Sequence, residues 1–143
     1  MMHSEILKPV VVLAGWTLVM LVWAVVMRMG AMRRAGIDMG TLIGTTAHHA
    51  DKALPAQIQW KAHNYNHLTE QPTLFYAIAL VLGLIGQGDG VNAAIAWTYV
   101  ALRIAHSLWQ ATVNRVRVRF WLFGLSSITL AALTLHAALA LWH

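Results

Sequence analysis

The chain has 143 residues, of which 59% are hydrophobic and only 10% are charged. An average globular chain carries about 25% charged residues, so this composition excludes an ordinary soluble domain. It also excludes intrinsic disorder, which requires low hydrophobicity and high charge. The chain contains no cysteine, which excludes disulfides, cysteine-ligated zinc and a protein thiol nucleophile. Any thiol chemistry would therefore use a thiol that a substrate brings.

Four apolar segments are long enough to cross a bilayer, whose hydrocarbon core takes about 20 helical residues. They lie at about 10–27, 57–86, 91–113 and 119–142. The second needs helical residues upstream of its apolar part, and Pro55 suits its start. No small-residue cleavage site follows the first, so we expect a retained span and not a signal peptide. The sequence thus predicts one domain over residues 1–143, an all-α integral membrane protein folded as a four-helix transmembrane bundle.

Positive charge is concentrated in two of the three predicted connections. The basic residues at issue are Arg28, Arg33 and Arg34 in the first connection and Arg115, Arg117 and Arg119 in the third. The middle connection, a glycine-rich turn at 86–90, has none. Because Lys and Arg stay on the cytoplasmic side, we expect both basic loops in the cytoplasm and both termini outside, in the inner (plasma) membrane if the source is bacterial. We expect no nucleic-acid partner, because the basic residues are few.

Two of the predicted spans each carry one polar face. Steps of three and four residues group His63, Asn66, His67 and Glu70 in the second span, and Tyr99, Arg103, His106, Gln110 and Asn114 in the third. An arginine near the bilayer centre costs about 2.5–3.5 kcal/mol on insertion scales, so we expect Arg103 to pair with Glu70 between the spans. The pair would fix the helix register, contact a ligand, or do both. Pro72 predicts a kink just after Glu70.

The histidines suggest a metal site only weakly. His63 and His67 are four residues apart, a spacing that can hold a metal, and His48 and His49 add two imidazoles. Glu70 is the only carboxylate close in sequence to His63 and His67 that could act as a further metal ligand, and no HExxH motif is present. We therefore expect hydrogen-bonded histidines and no metal.

The arginines of the third connection have two interpretations. They are either a positive-inside loop solvated by water and lipid phosphate, or part of an anion site together with Lys61 and the arginines at 28–34. A guanidinium binds a carboxylate with two parallel hydrogen bonds, so a small polyanion would suit such a site. The residues alone leave both interpretations open.

Four short spans, the segment Lys61-Ala-His…Asn66…Glu70…Pro72 and the segment Arg103-Ile-Ala-His106-Ser resemble the MAPEG family, the membrane-associated proteins in eicosanoid and glutathione metabolism. The resemblance covers essentially the whole chain. It implies a homotrimer that binds glutathione as co-substrate between adjacent subunits near the cytoplasmic face. It also implies conjugation of glutathione to lipophilic electrophiles, reduction of lipid hydroperoxides, or isomerisation of prostaglandin endoperoxides.

The resemblance also implies roles for individual residues. Arg119, thirteen residues after His106, corresponds to an arginine that stabilises the glutathione thiolate, and Lys61 to one that holds a glutathione carboxylate. The other implied binding positions are Asn66, Glu70, Arg103, His106, Gln110, Arg115 and Arg28. The chain departs from the family pattern at Gln110 and Phe123, where tyrosine is usual, at Phe120, where serine is found, and in the four-residue spacing of Asn66 and Glu70. These departures imply an altered glutathione pocket.

A glutathione transferase or peroxidase at a membrane boundary has a physical rationale. A free thiol has a pKa near 8.5, and a neighbouring guanidinium favours the thiolate; no general base need be supplied where the thiolate is already formed. An apolar electrophile or lipid hydroperoxide would arrive through the lipid. The alternative is a non-catalytic small membrane subunit that binds lipid or a larger membrane complex. A small transporter is disfavoured because the chain has no internal repeat.

Overall fold

The computed structural model describes residues 4–142, and the side chain of Ala47 is left out of that description. All regular secondary structure in this range is helical. The helices are α1 (Leu7–Arg34), α2 (Ala47–Ala53), α3 (Ala56–Glu70), α4 (Pro72–Leu84), α5 (Val91–Thr112) and α6 (Val116–Trp142), with a short 3₁₀ turn at Met39–Thr41. The prediction of an all-helical chain is confirmed for the described residues.

Two of these helices, α1 and α6, are long and apolar enough to cross a membrane by length and composition. They contain 28 and 27 residues. At a rise of about 1.5 Å per residue, each exceeds the roughly 30 Å of a hydrocarbon core. The predicted spans 10–27 and 119–142 lie within them. The predicted span 91–113 corresponds to α5, whose 22 residues include a buried polar face.

The predicted span 57–86 corresponds to two consecutive helices, α3 and α4. α3 ends at Glu70, Pro72 is the first residue of α4, and Gln71 between them has helical dihedral angles of φ −59° and ψ −39°. Proline has no N–H to donate to the preceding turn, which interrupts the hydrogen-bond ladder while the chain keeps its general direction. The break falls where Pro72 predicted a kink.

The long helices pack side by side. α5 contacts α1, α3 and α6, and α1 also contacts α3 and α4, while α4 packs on α6. One apolar core lies between them, formed by Ile6, Leu13, Met20, Leu68, Phe75, Ala79, Leu82, Ala96, Tyr99, Val100, Ala111, Leu130, Leu133 and Ala137. Much of the outer surface of α1 and α6 is instead exposed and apolar. A surface of that kind suits contact with lipid or with another apolar surface.

The two basic connections lie at the same end of the protein. Arg28, near the end of α1, donates a hydrogen bond from Nη2 to Oε1 of Gln59 at the start of α3 (3.2 Å). His67 of α3 in turn lines a cavity with Arg119 at the start of α6. At the opposite end, the backbone N–H of Ile6 donates to the carbonyl of Gly88 (2.9 Å). The segment before α1 is thereby attached to the uncharged glycine-rich turn.

Candidate functional site

The turn between α5 and α6 positions Arg119. Asn114 has a positive φ of 55°, a conformation that asparagine tolerates better than most residues. This conformation directs its backbone N–H to the carbonyl of Trp109 (2.7 Å) and ends α5. The side-chain oxygen of Asn114 then accepts a hydrogen bond from Nη1 of Arg119 (2.7 Å). The residue that reverses the chain therefore also holds the Arg119 guanidinium in place.

Two neighbouring cavities share Arg119 and His67 in their walls. We call the first the polar cavity; its volume is about 280 Å³, and its lining is His63, Asn66, His67, Glu70, Gln110, Asn114 and Arg119. We call the second the aromatic cavity; its volume is about 240 Å³, and its lining is His67, His106, Val116, Arg119, Phe120 and Phe123. The Arg119 guanidinium and the His67 imidazole therefore lie between a hydrophilic cavity and a largely apolar one.

His67 has contacts on both sides. Its Nδ1 lies 3.4 Å from Oε2 of Glu70, one helical turn further along α3. Its ring meets the ring of His106 edge-on, with 6.1 Å between centroids. His106 is almost fully buried and lies 6.4 Å from the Phe123 ring. These three rings, one each from α3, α5 and α6, line the aromatic cavity.

Arg103 is not paired with Glu70, and the prediction of that ion pair is wrong for the described residues. The Arg103 side chain is fully buried and donates from Nη2 to the backbone carbonyl of His67 (3.0 Å) and from Nη1 to Oε1 of Gln71 (3.3 Å). Within residues 4–142, no carboxylate lies within 4.0 Å of its guanidinium. Glu70 is exposed, whereas the contacts of α3 with α5 include the Asn64 side chain and the backbone carbonyl of His67.

Gln71 is a residue that the sequence analysis missed. Its Oε1 accepts from Arg103 of α5, and its Nε2 donates to Oγ of Ser127 in α6 (2.7 Å). This amide therefore connects three helices at the break before Pro72. Its position directly before the proline was the only sequence signal, and that position did not reveal its partners.

A second buried polar group was also missed. Ser107 of α5 is fully buried, and its Oγ accepts hydrogen bonds from Nδ2 of Asn64 in α3 (2.8 Å) and from Nε1 of Trp16 in α1 (2.9 Å). Asn64 is one residue from the predicted polar face of its helix, and Ser107 directly follows His106. Their adjacency to predicted positions was a signal, but hydropathy alone does not distinguish a buried amide or hydroxyl from an exposed one.

The structure brings five of the nine predicted site residues to the two cavities. These are Arg119, Asn66, Glu70, Gln110 and His106. Arg103 lies behind the aromatic cavity, with its guanidinium carbon 5.9 Å from the Phe123 ring centroid.

The other three predicted residues lie elsewhere. Arg28 lines a further cavity of about 270 Å³ between α1, α2 and α3, together with Asp51, His63 and Asn66. Lys61 turns toward α1, donates to the backbone carbonyl of Gln57 (2.8 Å) and has its Nζ 5.5 Å from the Trp23 ring centroid. The Arg115 side chain is exposed.

The described histidines form pairs and not a metal cluster. Nε2 of His63 lies 3.1 Å from Oδ1 of Asp51 in α2, and His67 meets Glu70. Within residues 4–142, no three His, Asp or Glu side chains are grouped so that they could hold a metal ion.

Comparison with known proteins places the chain in a family. No significant match was found among curated proteins or among solved structures. The model of the MAPEG family matches residues 6–139, which is nearly the whole chain, and this agrees with the motifs in α3 and α5. MAPEG is a membrane family that includes glutathione transferases and members with other functions. The chain belongs to the MAPEG family.

Proposed function

We propose that this protein is a membrane-bound glutathione-dependent transferase or peroxidase, in which Arg119 stabilises the glutathione thiolate. The observation that carries the proposal is that Arg119 lines both the polar and the aromatic cavity. A water-soluble thiol and an apolar electrophile occupy different environments. A cation at the boundary between two such spaces lies where the sulfur of the thiol would meet the reactive atom of the electrophile.

Arg119 suits the stabilisation of a thiolate. The hydrogen bond to Asn114 uses one nitrogen of the guanidinium, and its Nε is buried without a hydrogen-bond partner among the described residues. A nearby guanidinium favours the charged form of a thiol, and the effect is larger where water is partly excluded. Arg119 would thereby raise the concentration of the nucleophile without removing a proton itself.

The polar cavity offers groups that match the rest of glutathione. The peptide carries one ammonium and two carboxylates. Glu70 would pair with the ammonium, and the amides of Asn66 and Gln110 would bind peptide groups, while Arg119 is the one Lys or Arg among the lining residues of this cavity. The second carboxylate of glutathione would need a further cation. Arg28 does not line the polar cavity; it lines the separate cavity that also includes Asn66. In the homotrimer that we propose from the family resemblance, a neighbouring subunit would supply that cation.

The aromatic cavity would hold the lipophilic substrate. Its rim includes Phe120 and Phe123, which are exposed at the outer surface of α6. A molecule dissolved in the bilayer would reach such a rim laterally, without passing through water. Membrane lipid is then both the surroundings of the protein and the route of entry.

We further propose the arrangement in the membrane. α1, α5 and α6 would each span it, and α3 and α4 together would form the fourth span, in a multi-pass integral protein of the plasma membrane if the source is bacterial. The end that carries Arg28 and Arg119 would face the cytoplasm, because Lys and Arg are retained there. Glutathione would then be available on the side where the polar cavity lies. Native mass spectrometry in mild detergent tests the trimer, and a monomer would contradict it.

The test of the function is substitution of Arg119, with Arg117 as the matched control on the same turn. Arg117 is exposed and lines neither cavity. Arg119→Ala should lower the rate of conjugation to a halonitroarene by about 100-fold or more, the order lost with one oxyanion-stabilising donor. It should also reduce the ultraviolet absorbance of bound thiolate. Arg119→Lys should recover only part of the rate, because an ammonium lacks the planar donor fork. Arg117→Ala should behave as the wild type.

The alternative of a non-catalytic subunit predicts different results. Such a protein would show no saturable glutathione binding by calorimetry in detergent, and no turnover of a halonitroarene or a lipid hydroperoxide. If glutathione binds and turns over but Arg119→Ala keeps the wild-type rate, the role of Arg119 is wrong although the enzyme class stands.

A further inference from the structure

We propose that His67 is a catalytic acid–base residue, positioned by Glu70, which accepts the thiol proton and returns it to the leaving group. The inference rests on the proposed function and assigns a second reactive residue to that site. His67 and Arg119 are the two residues common to the linings of the polar and aromatic cavities. Arg119 can stabilise an anion, but as a permanently charged guanidinium it cannot accept the proton that the thiol must lose.

The geometry orients the imidazole for this task. Oε2 of Glu70 lies 3.4 Å from Nδ1 of His67, a charge contact longer than an ordinary hydrogen bond, and the negative charge on that side favours a proton on Nδ1. Nε2 then carries the lone pair. The backbone at His67 is held as well, because its carbonyl accepts a hydrogen bond from the buried Arg103. An imidazole that is oriented by a carboxylate and is only partly buried can still exchange its proton with a ligand.

The charged and titratable groups around His67 lie on three helices. They are Glu70 and His63 on α3, Arg103 and His106 on α5, and Arg119 on α6. Glu70 is the one anion among them, and it stabilises the protonated imidazole. The cations on α5 and α6 favour return of the proton once the thiolate has reacted.

The proton balance is complete for both reactions of the proposed function. In conjugation, the S–H bond breaks and its proton moves to Nε2. The sulfur then forms the S–C bond and the leaving group departs with its electron pair; the imidazolium delivers its proton to a basic leaving group, or to water when the leaving group is a halide. In peroxide reduction, the thiolate attacks the terminal oxygen of the hydroperoxide and the O–O bond breaks. The departing alkoxide takes the proton from His67. A second glutathione then reduces the resulting glutathione sulfenic acid, which yields the disulfide and water.

The experiment compares His67→Gln with His136→Gln in purified protein in detergent. His136 is a partly buried histidine of α6 that lies at the other end of the protein and bonds Asn92 through Nδ1 (2.6 Å). We expect His67→Gln to lower kcat for halonitroarene conjugation by about 100-fold, at the lower end of acid–base contributions, with the calorimetric Kd for glutathione changed less than threefold. Its rate should also lose the inflection that titration of the His67 imidazole adds to the pH profile, while the inflection that arises from the glutathione thiol remains. His136→Gln should keep the wild-type kcat and pH profile.

Two further variants separate a chemical role of His67 from a structural one. His67→Ala should regain part of its kcat when free imidazole is added, which a packing defect would not do. Glu70→Gln should give a smaller loss of kcat than His67→Gln, as expected of a positioning residue, and should also raise the Kd for glutathione, because the carboxylate would pair with the ammonium. The inference is overturned if His67→Gln keeps the wild-type kcat and pH profile while Arg119→Ala remains impaired; the proposed function then stands without it. If the wild-type protein neither binds nor turns over glutathione, the proposed function fails, and this inference fails with it.

Discussion

Removal of the Ser107 hydroxyl should destabilise the protein although it deletes a single atom. The Ser107 Oγ is the acceptor for both Trp16 Nε1 and Asn64 Nδ2, at 2.9 and 2.8 Å, and it joins α1, α3 and α5. Ser107 and Asn64 are fully buried, so no water replaces the lost acceptor. In Ser107→Ala, two donors remain without a partner.

The size of the effect follows from the number of bonds lost. Hydrogen bonds between membrane helices contribute about 0.6 kcal/mol on average and up to about 1.7 kcal/mol, so the loss of two predicts a decrease of about 1–3 kcal/mol in the free energy of unfolding. This range agrees with the roughly 1–3 kcal/mol that a buried unsatisfied group costs. In the background of Asn64→Leu, the same substitution should cost less, because one of the two donors is already gone.

Ser126→Ala is the matched control for this prediction. Ser126 is also a fully buried serine, but its hydroxyl donates to the carbonyl of Phe123 within its own helix (2.9 Å). That carbonyl also accepts from Oγ of Ser127 (2.8 Å), so Ser126→Ala leaves no group unpaired. It should change the stability by less than about 0.5 kcal/mol, as most uncoupled substitutions do. Unfolding of the detergent-solubilised protein by sodium dodecyl sulfate measures both variants. Equal losses for the two serines would refute the reasoning.

Three other predictions concern topology, the charged residues and the glycine-rich turn. In this cysteine-free chain, an impermeant maleimide applied to intact cells should label a cysteine at Gln87 and not one at Met39; the reverse pattern would invert the topology. Glu70→Gln should reduce stability by less than about 1 kcal/mol, because the carboxylate is exposed; a loss of about 3–5 kcal/mol, typical of a broken buried ion pair, would contradict the contacts described above. Gly88→Ala should lower the thermal midpoint, because a Cβ there would lie 2.6 Å from a methyl carbon of the N-terminal segment, whereas Gly124→Ala, with no neighbouring atom within 4 Å of its Cβ, should not.

Several features of this protein follow from local properties of the sequence. Apolar composition and the scarcity of charge predict an all-helical membrane protein, and the bounds of α1, α5 and α6 agree with the lengths of the apolar segments to within a few residues, apart from the charged ends of α1. Pro72 predicts the break between α3 and α4, since the absence of an N–H acts on its own turn. The polar face of α5 could also be predicted, because a period of 3.6 residues determines which residues of one helix lie together.

Only the tertiary structure decided how these faces meet. Helical periodicity defines directions about a single axis, but it leaves open the rotation and the axial shift of one helix relative to another. Arg103 therefore meets the carbonyl of His67 and not the carboxylate of Glu70, although depth and opposite charge favoured that pair. Lys61 turns to α1 for the same reason. The two cavities at Arg119 depend on contacts between α3, α5 and α6 and on the positive φ of Asn114, and these contacts form only when distant segments of the chain pack together.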